Sequence, residues 1–204
     1  MEINVREPKQ KRAIFKKEKI IEAGFKLICE NGYYNTNTAQ IAKKANVSTG
    51  IIYQYFNDKH DILMEGLNIY GDIVFFPILT LNIDNYDIKN FDNDLRNLIN
   101  NQIIKHKLSQ NAHEEITAMA HTDKDVANYF YQKELETNEK IKNILLSNGF
   151  KDKHLDEKVH IVMNLIDSLC HEIVYHKHKN MNYDIMTDLV IDNIKYIFNK
   201  NSQE

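Results

Sequence analysis

Glycine and proline are so scarce in this chain that their scarcity constrains the fold more than any other feature. Only 6 glycines and 2 prolines occur among 204 residues. All-β sandwiches and barrels need turn residues about every 8–12 positions, so these folds are disfavoured. The glycines are also scattered, which disfavours a glycine-rich nucleotide loop. The sequence therefore predicts an all-α fold of about nine helices.

Apolar residues at helical spacing place these helices along the chain. Asn37 is predicted to cap the second helix, with Gln40 at the capping-box spacing, and Ser48 to cap the third. Residues 82–93 are rich in Asn and Asp and are predicted to form a loop. The predicted helices cover residues 10–31, 37–45, 49–56, 58 to the break at Pro77, 93–108, 111–121, 124–147, 155–178 and 183–199.

Charge is distributed unevenly between the two parts of the chain. Residues 1–60 carry 11 basic and 6 acidic side chains, a net charge of +5. Residues 61–204 carry 15 basic and 23 acidic side chains, a net charge of −8. A basic segment followed by an acidic body indicates that the first part meets a polyanion and the second does not.

Hydropathy and cysteine content predict the compartment. No run approaches the roughly 18 apolar residues of a membrane span. The basic N-terminus lacks the apolar centre of a signal peptide. We therefore expect a cytoplasmic protein that does not bind a membrane. Cys29 and Cys170, the only 2 cysteines, are predicted to be small buried residues in a reducing compartment.

Residues 36–56 contain the motif that carries most functional information. Two short predicted helices are joined by Asn46, Val47 and Ser48, which is helix-turn-helix geometry. Asn46 is expected to adopt left-handed backbone, since Asn tolerates it better than most residues. The predicted apolar contact between the two helices uses Ile41, Ala42, Ala45, Val47 and Ile52.

The second helix of this motif has an unusual exposed face, because its residues are polar or aromatic but uncharged. Thr49 and Gly50 lie at its start, where backbone N–H groups favour a phosphate. Tyr53 and Tyr55 carry phenolic hydroxyls that can donate to phosphate oxygens, and Lys59 adds a charged contact. Helices of this kind enter the DNA major groove by their N-terminal residues.

The segment resembles the DNA-binding domain of the TetR family of bacterial repressors. The resemblance begins with I-I-E-A-G-F-K-L-I-C-E-N-G-Y at residues 20–33 and covers about fifty residues. Asn46 stands where the family usually has Gly, and Thr38 where it usually has an aliphatic residue. The resemblance implies that Ile51 and Gln54 read bases. The implied DNA-binding residues are Asn37, Ser48, Thr49, Gly50, Ile51, Tyr53, Gln54, Tyr55 and Lys59.

The same resemblance divides the chain into two functional parts. Residues 1–57 are expected to form a three-helix DNA-binding domain, and residues 58–204 a larger helical domain for ligand binding and dimerisation. The last two helices are apolar on several faces, which favours a homodimer interface there. Asp167 is expected to be buried and to pair with His171. The candidate ligand-binding residues are Tyr70, Phe75, Met119, Tyr129, Met163, Asp167 and His171.

These features predict a repressor that is released from an inverted-repeat operator in double-stranded DNA by a small hydrophobic or amphipathic effector. A cofactor or metal is not expected. One alternative is an enzyme or metal sensor, since His171, His176 and His178 lie close together and His106 lies near His113. Their spacing differs from that of common zinc sites, and no catalytic motif is present. A second alternative is a DNA-binding protein controlled by a protein partner instead of a ligand.

Overall fold

A computed structural model describes residues 11–80, 91–108 and 110–199 of the chain. Every regular element in these residues is helical, which confirms the predicted fold class. None of the helices described is both long and apolar enough to cross a bilayer. The α-helices are α1 (Lys11–Asn31), α2 (Thr38–Ala45), α3 (Thr49–Tyr55), α4 (Lys59–Val74), α5 (Phe91–Leu108), α6 (Gln110–Met119), α7 (Lys124–Ser147), α8 (Leu155–Tyr175) and α9 (Tyr183–Asn199), and a short 3₁₀ helix covers Pro77–Thr80.

The ends of these helices follow local signals in the sequence. Gly32 after α1 and Gly149 after α7 have φ values of +88° and +85°, the left-handed conformation expected of glycine at a helix end. Helix α8 ends at Tyr175, three residues earlier than the predicted residue 178, because His176 leaves helical geometry. Helix α5 begins at Phe91, within the predicted loop, and residues 82–90 of that loop lie outside the described residues.

The chain divides into two compact units, one of residues 1–72 with 109–130 and one of residues 73–108 with 131–204. The functional boundary predicted after residue 57 does not coincide with this division. Helix α6 belongs to the first unit and packs on α1. Its Glu115 accepts a hydrogen bond of 3.2 Å from the backbone N–H of Tyr34. The boundary between DNA-binding and regulatory functions remains a prediction.

The core of the first unit is built from α1 to α4. Two glycines allow α1 and α4 to approach closely. A Cβ atom on Gly24 would lie 2.4 Å from Ile62 Cγ2, and one on Gly66 would lie 2.5 Å from Phe25 Cδ2. The buried cluster contains Ile20, Ile21, Ala23, Ile41, Ala42, Ala45, Ile52, Phe56 and Ile62. It includes most of the apolar contact predicted for the helix-turn-helix motif.

The core of the second unit joins α5, α8 and α9. Its buried cluster contains Leu95, Ile99, Val162, Ile166, Leu169, Cys170, Ile191 and Ile194. A smaller cluster of Leu145, Leu155 and Val159 joins α7 to α8. Cys170 is buried as expected, and Cys29 in the first unit is partly buried. Burial raises the pKa of each thiol to about 12, so both are protonated and unreactive at neutral pH.

Candidate nucleic-acid interface and ligand cavity

The turn between α2 and α3 has the backbone that the sequence predicts. Asn46 adopts the left-handed conformation, with φ 55° and ψ 49°. This conformation lets the N–H of Val47 donate to the carbonyl of Ala42 at 3.0 Å. The carbonyl of Ala42 and the N–H of Val47 are thereby both hydrogen-bonded. As a result, α3 leaves the turn at a defined angle.

The start of α2 is fixed by a complete capping box. The Oδ1 atom of Asn37 accepts from the N–H of Gln40 at 3.0 Å, and Gln40 Oε1 accepts from the N–H of Asn37 at 2.8 Å. Ser48 occupies the corresponding N-cap position of α3 but makes no side-chain capping hydrogen bond, so its predicted role as a capping side chain is wrong. The second helix of the motif is held by the turn and by packing instead.

Helix α3 exposes one face and buries the other. Ile52 is fully buried in the core of the first unit, and Ile51 and Tyr55 are partly buried against it. Ile51 therefore has only part of its surface available for a base contact. Tyr55 is likewise committed in part to packing. The exposed residues at this face are Ser48, Thr49, Gly50, Tyr53 and Gln54.

Tyr53 is the most prominent side chain on this face, with 44% of its surface exposed. Its hydroxyl lies 3.2 Å from Oγ1 of Thr38 on α2. Thr38 stands where the TetR family usually has an aliphatic residue, and here its hydroxyl contacts that of Tyr53. Because a tyrosine hydroxyl both donates and accepts, it retains hydrogen-bonding capacity for a second partner.

Lys59 is oriented toward the protein as well as toward solvent. Its ammonium donates to the carbonyl of Tyr33 at 2.6 Å and to that of Thr36 at 2.8 Å. It also lies 4.1 Å from the centre of the Tyr33 ring. Burial lowers the pKa of Lys59, and the nearby carboxylates of Glu115 and Asp58 oppose that shift. Lys59 thus stabilises the turn between α1 and α2, a role that the sequence did not indicate.

His60 and Asp123 lie together in the first unit, with His60 Nε2 2.8 Å from Asp123 Oδ2. The other carboxylate oxygen accepts from the N–H groups of Asp125 and Val126, both at 3.0 Å. These hydrogen bonds, led by that of Val126, lower the pKa of Asp123. One potential ligand atom from each of His60, Asp123 and Asp125 lies within 4.8 Å of the others, but the Asp123 carboxylate already caps α7.

The predicted ligand-binding residues are divided between the two units. In the first unit, Met119 and Tyr129 are buried, and Tyr129 donates to the carbonyl of Leu67 at 3.1 Å. Tyr70 stacks on Phe25, with ring centres 5.6 Å apart. These contacts are compatible with a role in packing. Their predicted role in ligand binding stays a prediction.

In the second unit, Phe75 is buried and Met163 lines a cavity of about 110 Å³. The cavity is walled by aliphatic and aromatic side chains of α5, α7, α8 and α9. Phe91 lines this cavity but was predicted to lie in a loop, because the Asn- and Asp-rich stretch was extended to residue 93. Phe91, Leu95 and Leu98 recur at helical spacing, which is the signal that would have shown an earlier helix start.

Asp167 is not buried, so its predicted burial is wrong, while its predicted role in ligand binding stays a prediction. Its side chain is 60% exposed, because it lies on the side of α8 that faces away from the core. Its carboxylate lies 3.7 Å from Nε2 of the buried His106. The ring of His171 lies 5.2 Å from that of His106. Burial lowers the pKa of His106, while Asp167 opposes the shift.

The remaining histidines singled out by sequence lie in different environments. His176 and His178 are exposed after the end of α8, and Nε2 of His178 lies 3.4 Å from Glu172 Oε1. His113 is buried in the first unit. The exposed pair at the helix end suits a solvated, dipole-stabilised position.

The short helices α2 and α3, joined by a tight turn and with one face of α3 exposed, have the arrangement of the helix-turn-helix class of DNA-binding proteins. Residues 20–65 match the family model for bacterial regulatory proteins of the tetR family. The match to the tetR family is thus shown for residues 20–65 of the chain.

Curated relatives match only the N-terminal part. HTH-type transcriptional regulator HbdR of Aromatoleum sp. (strain CIB) is 58% identical over 48 residues, which are 24% of this chain and 21% of that protein. The fatty acid metabolism regulator protein of Bacillus subtilis (strain 168) is 48% identical over 56 residues, 28% of either chain. The alignments thus span about a fifth to three tenths of these relatives.

The fold match extends over most of the chain. A transcriptional regulator from Saccharomonospora viridis in complex with choline superposes with a TM-score of 0.68, covering 90% of this chain and 97% of that one. The two sequences are 19% identical. This similarity shows a shared fold, and the choline of that complex does not define a ligand for this chain.

Proposed function

We propose that this protein is a transcriptional repressor that binds an inverted-repeat operator as a homodimer and leaves it when a small apolar or amphipathic ligand binds its helical body. It acts in the bacterial cytoplasm and carries no catalytic activity. The single observation that best supports the DNA-binding part is Gly50 on the exposed face of α3.

Gly50 has no evident structural reason to be glycine. A Cβ atom placed there would meet only Ser48 Oγ, at 3.9 Å, among the described residues. Glycine within a helix costs roughly 0.5–1 kcal/mol relative to alanine. A residue that is unfavourable for the helix and open to solvent is explained if a DNA backbone approaches too closely for a side chain. Tyr53 next to it supplies a hydroxyl for a phosphate oxygen.

Dimerisation is supported by apolar side chains that the described chain leaves uncovered. Ile185 and Leu189 are separated by one turn on α9 and are 55% and 56% exposed, and Ile161 on α8 is 55% exposed. Tyr196 extends the same face of α9 and is 62% exposed. A second copy would cover this surface symmetrically. It would also present two α3 helices to half-sites about 34–36 Å apart.

The cavity lined by Met163 supports the ligand part of the proposal. An apolar cavity surrounded by four helices gives a small molecule a place to act on helix packing. A ligand releases DNA only if it binds the DNA-incompetent form more tightly, and about 1.4 kcal/mol of difference gives a tenfold loss of operator affinity.

The test begins by selecting duplexes from a random DNA library with the purified protein. An enriched inverted repeat is expected, and enrichment of no sequence would refute operator recognition. Gly50→Ala should raise the unfolding temperature yet weaken binding to the enriched duplex. If affinity is unchanged, the backbone does not approach DNA at Gly50.

A second variant pair tests the phosphate contact at fixed salt. Tyr53→Phe removes one hydroxyl and should weaken both specific and random binding by roughly three- to tenfold, the value of one hydrogen bond. Tyr131→Phe is the matched control, since Tyr131 on α7 is also exposed, at 57%, and should bind as the parent does. Equal affinities of both variants would exclude Tyr53 from the contact.

A further inference from the structure

The cavity in the second unit has one chemical feature that distinguishes it from an ordinary packing void. Its walls are apolar except for Asp94, on the first turns of α5. Met163 and Ile166 of α8 and Ile194 of α9 are among the apolar lining residues. A polar group in an otherwise apolar cavity favours one orientation of a bound ligand and adds specificity.

Asp94 differs from neighbouring carboxylates in having no cationic partner among the described residues. Asp92, two residues before it, lies 2.8 Å from Lys195 Nζ. Asp188 on α9 is paired with Arg96. Lys195 and Arg96 are therefore committed to other acids, and Asp94 is partly buried at the cavity. A carboxylate in this position favours a ligand that brings a positive charge.

Aromatic rings reinforce that preference. Phe91 lies one helical turn before Asp94, so both project from the same side of α5, and both line the cavity. Phe198 of α9 also lines it, with its ring centre 6.2 Å from that of Phe91 in an edge-to-face arrangement. Ring faces carry negative potential and attract ammonium groups. Carboxylate and rings together favour an organic cation over a neutral molecule or an anion.

The size of the cavity limits the apolar part of the ligand. Its volume is about 110 Å³. An engineered apolar cavity of roughly 150 Å³ binds benzene, so this volume suits an alkyl chain of about five carbons or a similarly small ring.

We propose that this cavity binds a compact organic cation, namely an alkyl- or arylammonium compound. Its apolar part enters between α5, α7, α8 and α9. Its charged group contacts Asp94 and the rings of Phe91 and Phe198. The inference rests on the proposed function, because it names the chemical class of the effector.

The experiment compares four probes that share an unbranched five-carbon chain, on the full-length protein, by calorimetry without DNA. The probes are n-pentylammonium, pentyltrimethylammonium, 1-pentanol and pentanoate. Both cations should bind about tenfold more tightly than the alcohol, the effect of roughly 1.4 kcal/mol of added attraction, and pentanoate should bind weakest. Pentanoate or alcohol binding as tightly as the cations would overturn the proposal, as would the absence of binding by either cation.

Two variants identify the residue responsible. Asp94→Asn should reduce the preference for cations over 1-pentanol to less than about twofold while leaving binding of the alcohol unchanged. Asp92→Asn is the matched control, because it removes a carboxylate from the same turn that pairs with Lys195 and should keep the preference. Equal preferences in both variants would exclude Asp94. If Asp94→Asn fails to fold, the order of the four probes on the parent protein still decides.

Titration of the selected operator duplex with the same probes separates this inference from the proposed function. Cations that bind the protein without changing operator affinity support the site and refute release by this ligand. Release by the alcohol or by pentanoate alone supports ligand control and refutes the cationic class.

Discussion

Replacing Lys59 with Met is the sharpest test of how the helix-turn-helix motif is supported by the rest of the first unit. The substitution keeps an unbranched apolar stem but removes the ammonium that donates to the carbonyls of Tyr33 and Thr36. Those two carbonyls follow α1 and lie in the turn that leads into α2. Without Lys59 they must find water or lose their partners.

The magnitude follows from three contacts. Hydrogen bonds to a charged group contribute roughly 1.5–3 kcal/mol each when well buried, and partial exposure of Lys59 reduces this to about 1 kcal/mol each. The Tyr33 ring, 4.1 Å from the ammonium, adds about 0.5–1 kcal/mol. We expect Lys59→Met to destabilise the protein by about 2–3 kcal/mol. For a chain of this length that corresponds to a fall of roughly 4–12 °C in melting temperature.

Thermal unfolding followed by circular dichroism measures this loss, and Lys44→Met provides the control. Lys44 forms an exposed ion pair with Glu30 at 2.8 Å, which contributes about 0–1 kcal/mol. Equal melting temperatures for the two variants would refute the structural role of Lys59. The salt dependence of operator binding tests whether Lys59 also contacts a phosphate. If it does, Lys59→Met should reduce the slope of log affinity against log salt concentration by about 0.9. If Lys59 is purely structural, the slope should be unchanged.

Three further outcomes follow from the same structure. Asn46→Val should lower the free energy of unfolding by about 1–2 kcal/mol, because a β-branched residue disfavours the left-handed backbone at φ 55°. Asn46→Gly should unfold at or above the parent temperature. Equal losses in both variants would place the strain elsewhere. Leu189→Glu should convert dimers to folded monomers, which light scattering would detect. Ile194→Glu should unfold the protein, since Ile194 is 0% exposed and belongs to the core. A stable dimer of Leu189→Glu would place the interface elsewhere. The pKa of Asp123 lies below its ordinary value, chiefly because Val126 donates to the carboxylate, so its charge stabilises the fold above the unfolded pKa and loses that effect as pH falls through the folded pKa. Asp123→Asn should therefore be less stable than the parent by up to about 0.5 kcal/mol at pH 7. In urea titrations this difference should shrink as the pH falls through the lowered pKa of Asp123 and vanish below it. A difference that stays constant as the pH falls would assign it to packing.

The sequence predicted those features that depend on neighbouring residues along the chain. The capping box of Asn37 and Gln40, the left-handed Asn46 and the glycine ends of α1 and α7 all follow from the intrinsic preferences of single residues and short patterns. The apolar spacing that predicted the buried face of α3 is equally local. These signals set the helix order, and with it the position of the helix-turn-helix motif.

Features that depend on packing between distant segments were not predictable in the same way. Asp167 lies within an apolar run, yet its side of α8 points away from the core, because the core of the second unit is formed by the side that carries Val162, Ile166 and Leu169. Asp94 was overlooked because nothing in its local sequence shows that α9 and α7 meet α5 around a cavity. A single apolar run cannot specify which of its faces meets the protein and which remains exposed.

The start of α4 shows how these local and distant contacts combine. Asp58 caps this helix by accepting from the N–H groups of His60 and Asp61 at 2.7 and 3.2 Å. Lys59 holds the turn between α1 and α2, and His60 lies against Asp123 at the start of α7. Successive residues of one helical turn therefore contact three different parts of the first unit. Because α3 ends only four residues before Lys59, a shift of this turn would change both the support of α2 and the presentation of Tyr53. In the proposed repressor, a small movement at the start of α4 would therefore be enough to alter the surface that meets DNA.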